Sequence, residues 1–158
     1  MKIYTVGYEG LDIEDFVKGL KEKRIQVVAD VRKNPVSRKR GFSKKKLGEI
    51  LNQQGIDYIH YGSLGVPSAW RKQAKAKIIT REKMFKDYSR KILPEHLEEV
   101  ATIIDLAKKK KVALLCYECN ADDCHRHYIA NRIQKMKKSV KIEDFVIEGS
   151  KSFREPLL

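Results

Sequence analysis

Short apolar runs alternate with amphipathic stretches along this chain. Residues 2–6, Lys-Ile-Tyr-Thr-Val, predict a short buried strand. Ile13, Phe16, Val17 and Leu20 then recur at helical spacing, with Asp12 placed as N-cap and Asp15 three residues on. Residues 25–31, Ile-Gln-Val-Val-Ala-Asp-Val, predict a second strand. Ser43 stands where it can cap a helix with Leu47, Ile50 and Leu51 inward, and Gly55 suits the left-handed position that ends it. Ile56 to His60 predicts strand three. Residues 62–79 hold Gly62, Gly65 and Pro67 ahead of a basic stretch around Trp70, which predicts a loop and a loose helix. A helix over 80–91 follows. The next has Pro94 at its first position and Leu97, Val100, Ala101, Ile104 and Ala107 inward. Residues 112–116 predict strand four, 123–137 a helix and 140–147 a last strand.

This alternation predicts an α/β fold: a single domain of three layers, with a mostly parallel sheet of about five strands and helices on both faces. The 158 residues suffice for one full core. Ligands of such sheets bind beyond the carboxyl ends of the strands. Those ends carry Gly7-Tyr8, Asp30-Val31-Arg32, Tyr61 to Gly65 and Cys116 to Glu118, which predicts one crevice built from four loops.

Residues 112–128 concentrate the chemistry, holding all three cysteines and two of the four histidines. An apolar run stops at Cys116, and the helix pattern near Asp123 carries Cys124, His125 and Arg126 in its first turn. A helix N-terminus binds anions and lowers a thiol pKa, so Cys124 is the better candidate for a reactive thiolate. His125 and Arg126 share the inward side with Ile129, Ile133 and Met136, whereas His127 falls on a polar face with Asn131, Gln134 and Lys138. Asp122 or Asp123 is placed to cap this helix. Asp30 and Arg32 bracket Val31 and so point to the same side. The loop after them adds Ser37 and Arg38, a pattern suited to phosphate or carboxylate. The predicted anion site is therefore Arg32, Ser37, Arg38 and Arg126 with Gly7 and Tyr8. Glu118 or Asp30 would serve as acid, base or nucleophile, assisted by His125 or Cys124.

Cys116, Cys119, Cys124 and His125 supply four soft ligands at short spacing. Adjacent Cys and His on a helix seldom aim at one metal, and there is no second paired-cysteine knuckle, so neither a metal nor another cofactor is expected. An odd, clustered cysteine count argues against a disulfide framework. A phosphatase-type Cys-x5-Arg loop is excluded, because no cysteine stands at that distance from Arg126.

Charge widens the choice of partner. Lys and Arg number 34 against 21 Asp and Glu, a net charge of +13, which attracts polyanions. A Lys-rich, heat-adapted surface is the other explanation, but heat adaptation usually adds acids alongside Lys and leaves the excess unexplained. Lys39, Arg40, Lys44, Lys45 and Arg71 are placed to contact phosphates, and Trp70, Tyr61 and Tyr58 to stack on bases. The expected partner is a phosphorylated small molecule or a nucleic acid. No apolar run reaches the length of a membrane span, and the N-terminus lacks the apolar core of a signal peptide, so a cytoplasmic location with no membrane partner is expected.

Together these residues resemble the family called domain of unknown function 488. The resemblance is carried by Thr5-Val6-Gly7 and by Asp30-Val31-Arg32 with Pro35, Ser37 and Arg38. It continues at Phe42, Gly55-Ile56 with Tyr58, and Leu64-Gly65, and closes on Leu115-Cys116 with Glu118 and Cys124-His125-Arg126. Val66 replaces the second glycine of the family's turn, and Cys119 lies outside its pattern. The resemblance implies an α/β fold and no particular reaction.

The residues favour an enzyme acting on a phosphorylated, nucleotide-like or nucleic-acid substrate. The alternatives are a non-catalytic nucleic-acid-binding module and a thiol redox or metal-binding protein. Asp30 and Glu118 separate the first two, since a phosphate binder gains nothing from carboxylates among its arginines, whereas acid–base chemistry needs them.

Overall fold

Val112–Cys116 offers no polar side chain to water, and this strand, β4, lies at the centre of a parallel sheet. The computed structural model describes residues 1–149. Its other strands are β1 (Lys2–Gly7), β2 (Val27–Asp30), β3 (Asp57–His60) and β5 (Lys141–Asp144), in the order β3-β2-β4-β1-β5. All four pairings are parallel. The expected α/β architecture is therefore present.

Alternation along the strands splits the core in two. Tyr4, Val6, Val28, Ala113 and Leu115 pack under α1 (Ile13–Glu22) and α2 (Lys44–Gln53), meeting Phe16, Leu20, Leu47 and Leu51. Ile3, Val27, Ala29, Leu114 and Cys116 face the other layer. That layer comprises α3 (Ser68–Lys75), α4 (Arg81–Asp87), α5 (Leu97–Ala107) and α6 (His125–Met136), and its buried side chains include Phe85, Val100, Ile103 and Ile129. Burying each such side chain contributes about 1.5–3 kcal/mol. Among the described residues, no helix is long and apolar enough to cross a membrane.

Asp12 caps α1, accepting the Asp15 N–H at 2.8 Å. Gly55 follows the last turn of α2 at φ +75°, as its placement predicts. Ser43 precedes α2 but makes no capping bond; its hydroxyl accepts the Ser37 N–H at 3.0 Å and ties the 37–43 loop. The helix expected over 80–91 ends as a π turn, Tyr88–Ile92, and Pro94 lies in a 3-10 turn, Leu93–His96, ahead of α5. Ile103, not Ala101, completes the buried face of α5. The last strand is shorter than 140–147. The helix expected from 123 begins at His125. A 3-10 turn, Ala121–Asp123, precedes it, and Cys124 is its extended N-cap at φ −146°, ψ 146°. The N-cap position thus falls on Cys124, not on residue 122 or 123.

Candidate functional site

Register brings the strand ends level. Gly7 is paired with Cys116, and the Val31 N–H donates to Leu115 O at 3.1 Å. The chain leaves β1 and β2 toward α1 and α2 on one face, but leaves β4 toward α6 on the other. Loops that diverge in this way open a crevice between them. The cleft has a volume of about 250 Å³ and is lined by Tyr8, Arg32, Lys33, Asn34, Val36, Val66, Arg71, Cys116, Tyr117, Glu118 and His125. A larger groove of about 770 Å³ between α1 and α2 holds Val17, Lys21, Ile50 and Gln54. It lies away from the strand ends and brings no comparable group of reactive side chains together.

Asp30 lies beneath this cleft, fully buried, and Arg32 is 7% exposed. Arg32 Nε and Nη2 donate to the two Asp30 oxygens at 2.9 and 2.7 Å, and the Arg32 N–H adds a third bond at 3.1 Å. The Tyr58 hydroxyl donates to Asp30 Oδ2 at 2.5 Å. Burial, and then the Asp30 charge, push the Tyr58 phenol well above its ordinary range, which keeps it a donor. Arg32 Nη1 donates to Phe42 O at 2.7 Å and to the Tyr8 hydroxyl at 3.2 Å. This guanidinium is thus largely occupied within the protein. Tyr8 in turn stacks on Phe42 at 4.3 Å between ring centroids and meets Tyr117 edge-on.

Arg126 turns away from the cleft. Its Nη1 donates to Glu118 O and its Nη2 to Cys119 O at 3.1 Å, so it clamps the loop that follows β4 from behind. Gly7 makes the clamp possible: a Cβ there would stand 1.8 Å from Glu118 O and 3.0 Å from Arg126 Nη1. The Glu9 carboxylate accepts the Cys119 N–H at 3.0 Å and holds the same loop from its outer side. Fixed in this way, Glu118 is half-buried on the cleft wall, 3.7 Å from Arg81 Nη2.

At the cleft floor His125 Nε2 is 2.6 Å from Val31 O. A carbonyl only accepts, so Nε2 carries a proton, and in the neutral ring Nδ1 presents a lone pair. Nδ1 faces two thiols, Cys116 Sγ at 3.5 Å and Cys124 Sγ at 3.8 Å. Cys116 Sγ is also 3.3 Å from Glu118 Oε2. Cys124 is fully buried, and burial, reinforced by the neighbouring Cys116 thiol, pushes its own thiol well up. The thiol on the cleft wall is Cys116.

The profile of the family described as "Domain of unknown function DUF488" matches residues 12–133. The chain belongs to this DUF488 family. No curated protein and no solved structure matches it.

In this DUF488 chain, Arg32, Tyr8, Glu118 and His125 share one cleft, with Asp30 below them. Gly7 and Arg126 support its loop, and Cys124 is packed under His125. Ser37 accepts the Lys39 N–H at 3.1 Å and shapes its own turn. Arg38, Lys44 and Lys45 are exposed outside the cleft lining, and Arg40 is paired with Glu14. Lys39 lies over the Phe42 ring. Trp70 is half-buried against the core, so its ring is only partly open to a stacking base, whereas Arg71 reaches the cleft. His127 is partly exposed and interacts with Asp122 and Asn131.

Residue-type reasoning gives no such role to three groups at the site: Lys33 and Tyr117 at the mouth and Tyr58 under Asp30. The sequence places Tyr58 in the family motif and among the rings suited to stack on a base, not under Asp30. Its position two residues ahead of His60, the register partner of Asp30, could have revealed its role.

Proposed function

We propose that this protein is an enzyme that performs acid–base chemistry on a phosphate-bearing, nucleotide-like substrate in the cleft at the strand ends, with Glu118 as the acid or base. One observation carries the reading: Glu118 is the only carboxylate lining the cleft among the described residues, and the cations around it are Arg32, Lys33 and Arg71 of the lining and Arg81, its ion-pair partner at 3.7 Å. A site built only to hold phosphate gains nothing from that carboxylate. A site that moves a proton beside bound phosphate needs one. Lys33 and Arg71 are exposed at the mouth and supply the cationic contacts, while Arg32 and Arg126 maintain the walls. Tyr117, 45% exposed and edge-on to Tyr8, offers an aromatic face to a base. At about 250 Å³ the cleft falls just below the usual ligand-pocket range of about 300–1,000 Å³. That suits a phosphate and sugar inside with the base at the rim.

The test is a turnover and binding screen over nucleotides and phosphorylated sugars. Lys33→Ala with Arg71→Ala should weaken binding about tenfold or more, as expected for two charged contacts. Glu118→Gln keeps the side chain's shape but not its proton chemistry, and should retain binding while lowering turnover by roughly 100-fold or more. Undiminished turnover in Glu118→Gln overturns the assignment of the acid or base. Binding unaffected by the Lys33 and Arg71 changes overturns the anion site.

A further inference from the structure

We infer that Cys116, Cys124 and His125 form a binding site for a zinc-type divalent cation at the floor of the cleft. The two sulfurs and a ring nitrogen of His125 lie within 4.8 Å of one another. Nδ1 stands 3.5 Å from one sulfur and 3.8 Å from the other. Zinc bonds of about 2.3 Å to sulfur and 2.0–2.1 Å to nitrogen, at a tetrahedral angle, put those atoms about 3.6 Å apart. The sulfur–nitrogen spacings are already those of a filled site.

Local structure removes the objection that neighbouring Cys and His cannot share a metal. Two adjacent residues inside a helix point about 100° apart. Cys124 is not inside the helix: its extended backbone sends the thiol under the first turn, where the His125 ring meets it. The His125 Nε2–H donated to Val31 O fixes the ring and directs the Nδ1 lone pair at the sulfurs, the arrangement that metal-ligating histidines usually show. Both thiols are free of disulfides. Two thiolates and an imidazole select zinc over magnesium or calcium, which prefer oxygen. Cys119, the remaining cysteine, takes no part in the cluster.

Three protein ligands are the pattern of catalytic zinc, whereas structural zinc takes four. Cys116, His125 and Glu118 line the same cleft, with Glu118 Oε2 3.3 Å from Cys116 Sγ, so a fourth position open to the cleft would stand beside Glu118. The inference goes beyond the acid–base reading and does not rest on it, because metal binding is measured without turnover.

The experiment uses the full chain, first stripped with a chelator and shown to be folded by circular dichroism. Titration with zinc should saturate at about one equivalent and raise the melting temperature, as any ligand of the native state does. Cobalt in place of zinc should give thiolate-to-metal charge-transfer absorption and the intense visible bands of a tetrahedral centre. Cys119→Ser should keep both signatures, and Cys116→Ser, which leaves one of the two thiolates, should lose about half of the charge-transfer intensity per bound metal. Cys124→Ser and His125→Ala should lower the affinity by at least about tenfold. If either of these buried-site variants does not fold, the stripped parent still decides the question. Uptake below about 0.1 equivalent by folded parent, a cobalt spectrum without thiolate absorption, or an equal loss of metal in Cys119→Ser overturns the site. Metal binding with no dependence of turnover on Glu118 would leave this site standing and sink the acid–base assignment alone.

Discussion

Asp30→Asn separates an architectural role for this carboxylate from a chemical one. The wild-type side chain is fully buried and accepts four hydrogen bonds, three from Arg32 and one from Tyr58. Asparagine retains one oxygen, which can keep the bonds at the Oδ1 position. Its amide nitrogen would then face Arg32 Nη2, so donor meets donor. The Tyr58 hydroxyl can rotate and accept instead. The larger cost is the guanidinium charge, 7% exposed and left without its counter-charge. Breaking one side of a buried pair costs about 3–5 kcal/mol. Phe42 O and the Tyr8 hydroxyl still accept from Arg32, which favours the lower end, about 3 kcal/mol. Domains of ordinary stability hold only about 5–15 kcal/mol, so the change should be large. In urea, with a slope of about 1–3 kcal/mol per molar, the midpoint should fall by about 1 M or more at unchanged slope. Adding Arg32→Met removes the stranded charge and should recover part of the loss, with a coupling energy of at least about 1.5 kcal/mol across the double-mutant cycle. A loss below about 1 kcal/mol, with the slope unchanged, would refute the view that the pair holds the cleft wall together.

Other outcomes follow from single contacts. Gly7→Ala places a methyl group against the Glu118 carbonyl and the Arg126 guanidinium, and should cost about 1–3 kcal/mol in a thermal melt. Alkylation of the native chain in the presence of chelator should label partly exposed Cys119 first, and Cys124 only on unfolding; early labelling of Cys124 would contradict its burial. Lys23 and then Lys2 hold the Glu143 carboxyl below its ordinary value of 4.5. The stabilisation is therefore fully present above that value and is lost as pH falls through the lowered folded value. Glu143→Gln should be less stable than the parent at neutral pH and equal to it in strong acid.

The alternation of strands and helices was legible in the sequence because burial imposes periods of 2 and 3.6, and the parallel sheet followed from it. Asp30 and Arg32 could be placed together because two residues of a strand end share a side. The destinations of the charged side chains were not legible. Arg126 reads as an anion ligand in sequence, but its turn of helix aims it at the carbonyls of residues 118 and 119. Helical periodicity fixes a face, not which of several acceptors a five-donor group will meet. Cys124 was misjudged through a start displaced by two residues: at an extended N-cap its thiol enters the core, not the field of the helix terminus. Helix ends are the least determined feature of a hydrophobic pattern.

The strand order also governs when this chain can assemble. β1 and β2 do not pair with each other; each pairs with β4. The first two strands of the sheet must therefore wait until residues 112–116 have been made before either meets its central neighbour. During synthesis, Ile3, Val6, Val27 and Val28, all buried at the end, belong to strands without that partner. Unpaired apolar strands of this kind are what chaperones shield, and pairings so distant in sequence slow folding. The same late strand ends in Cys116, so this part of the cleft wall is made no earlier than the centre of the sheet.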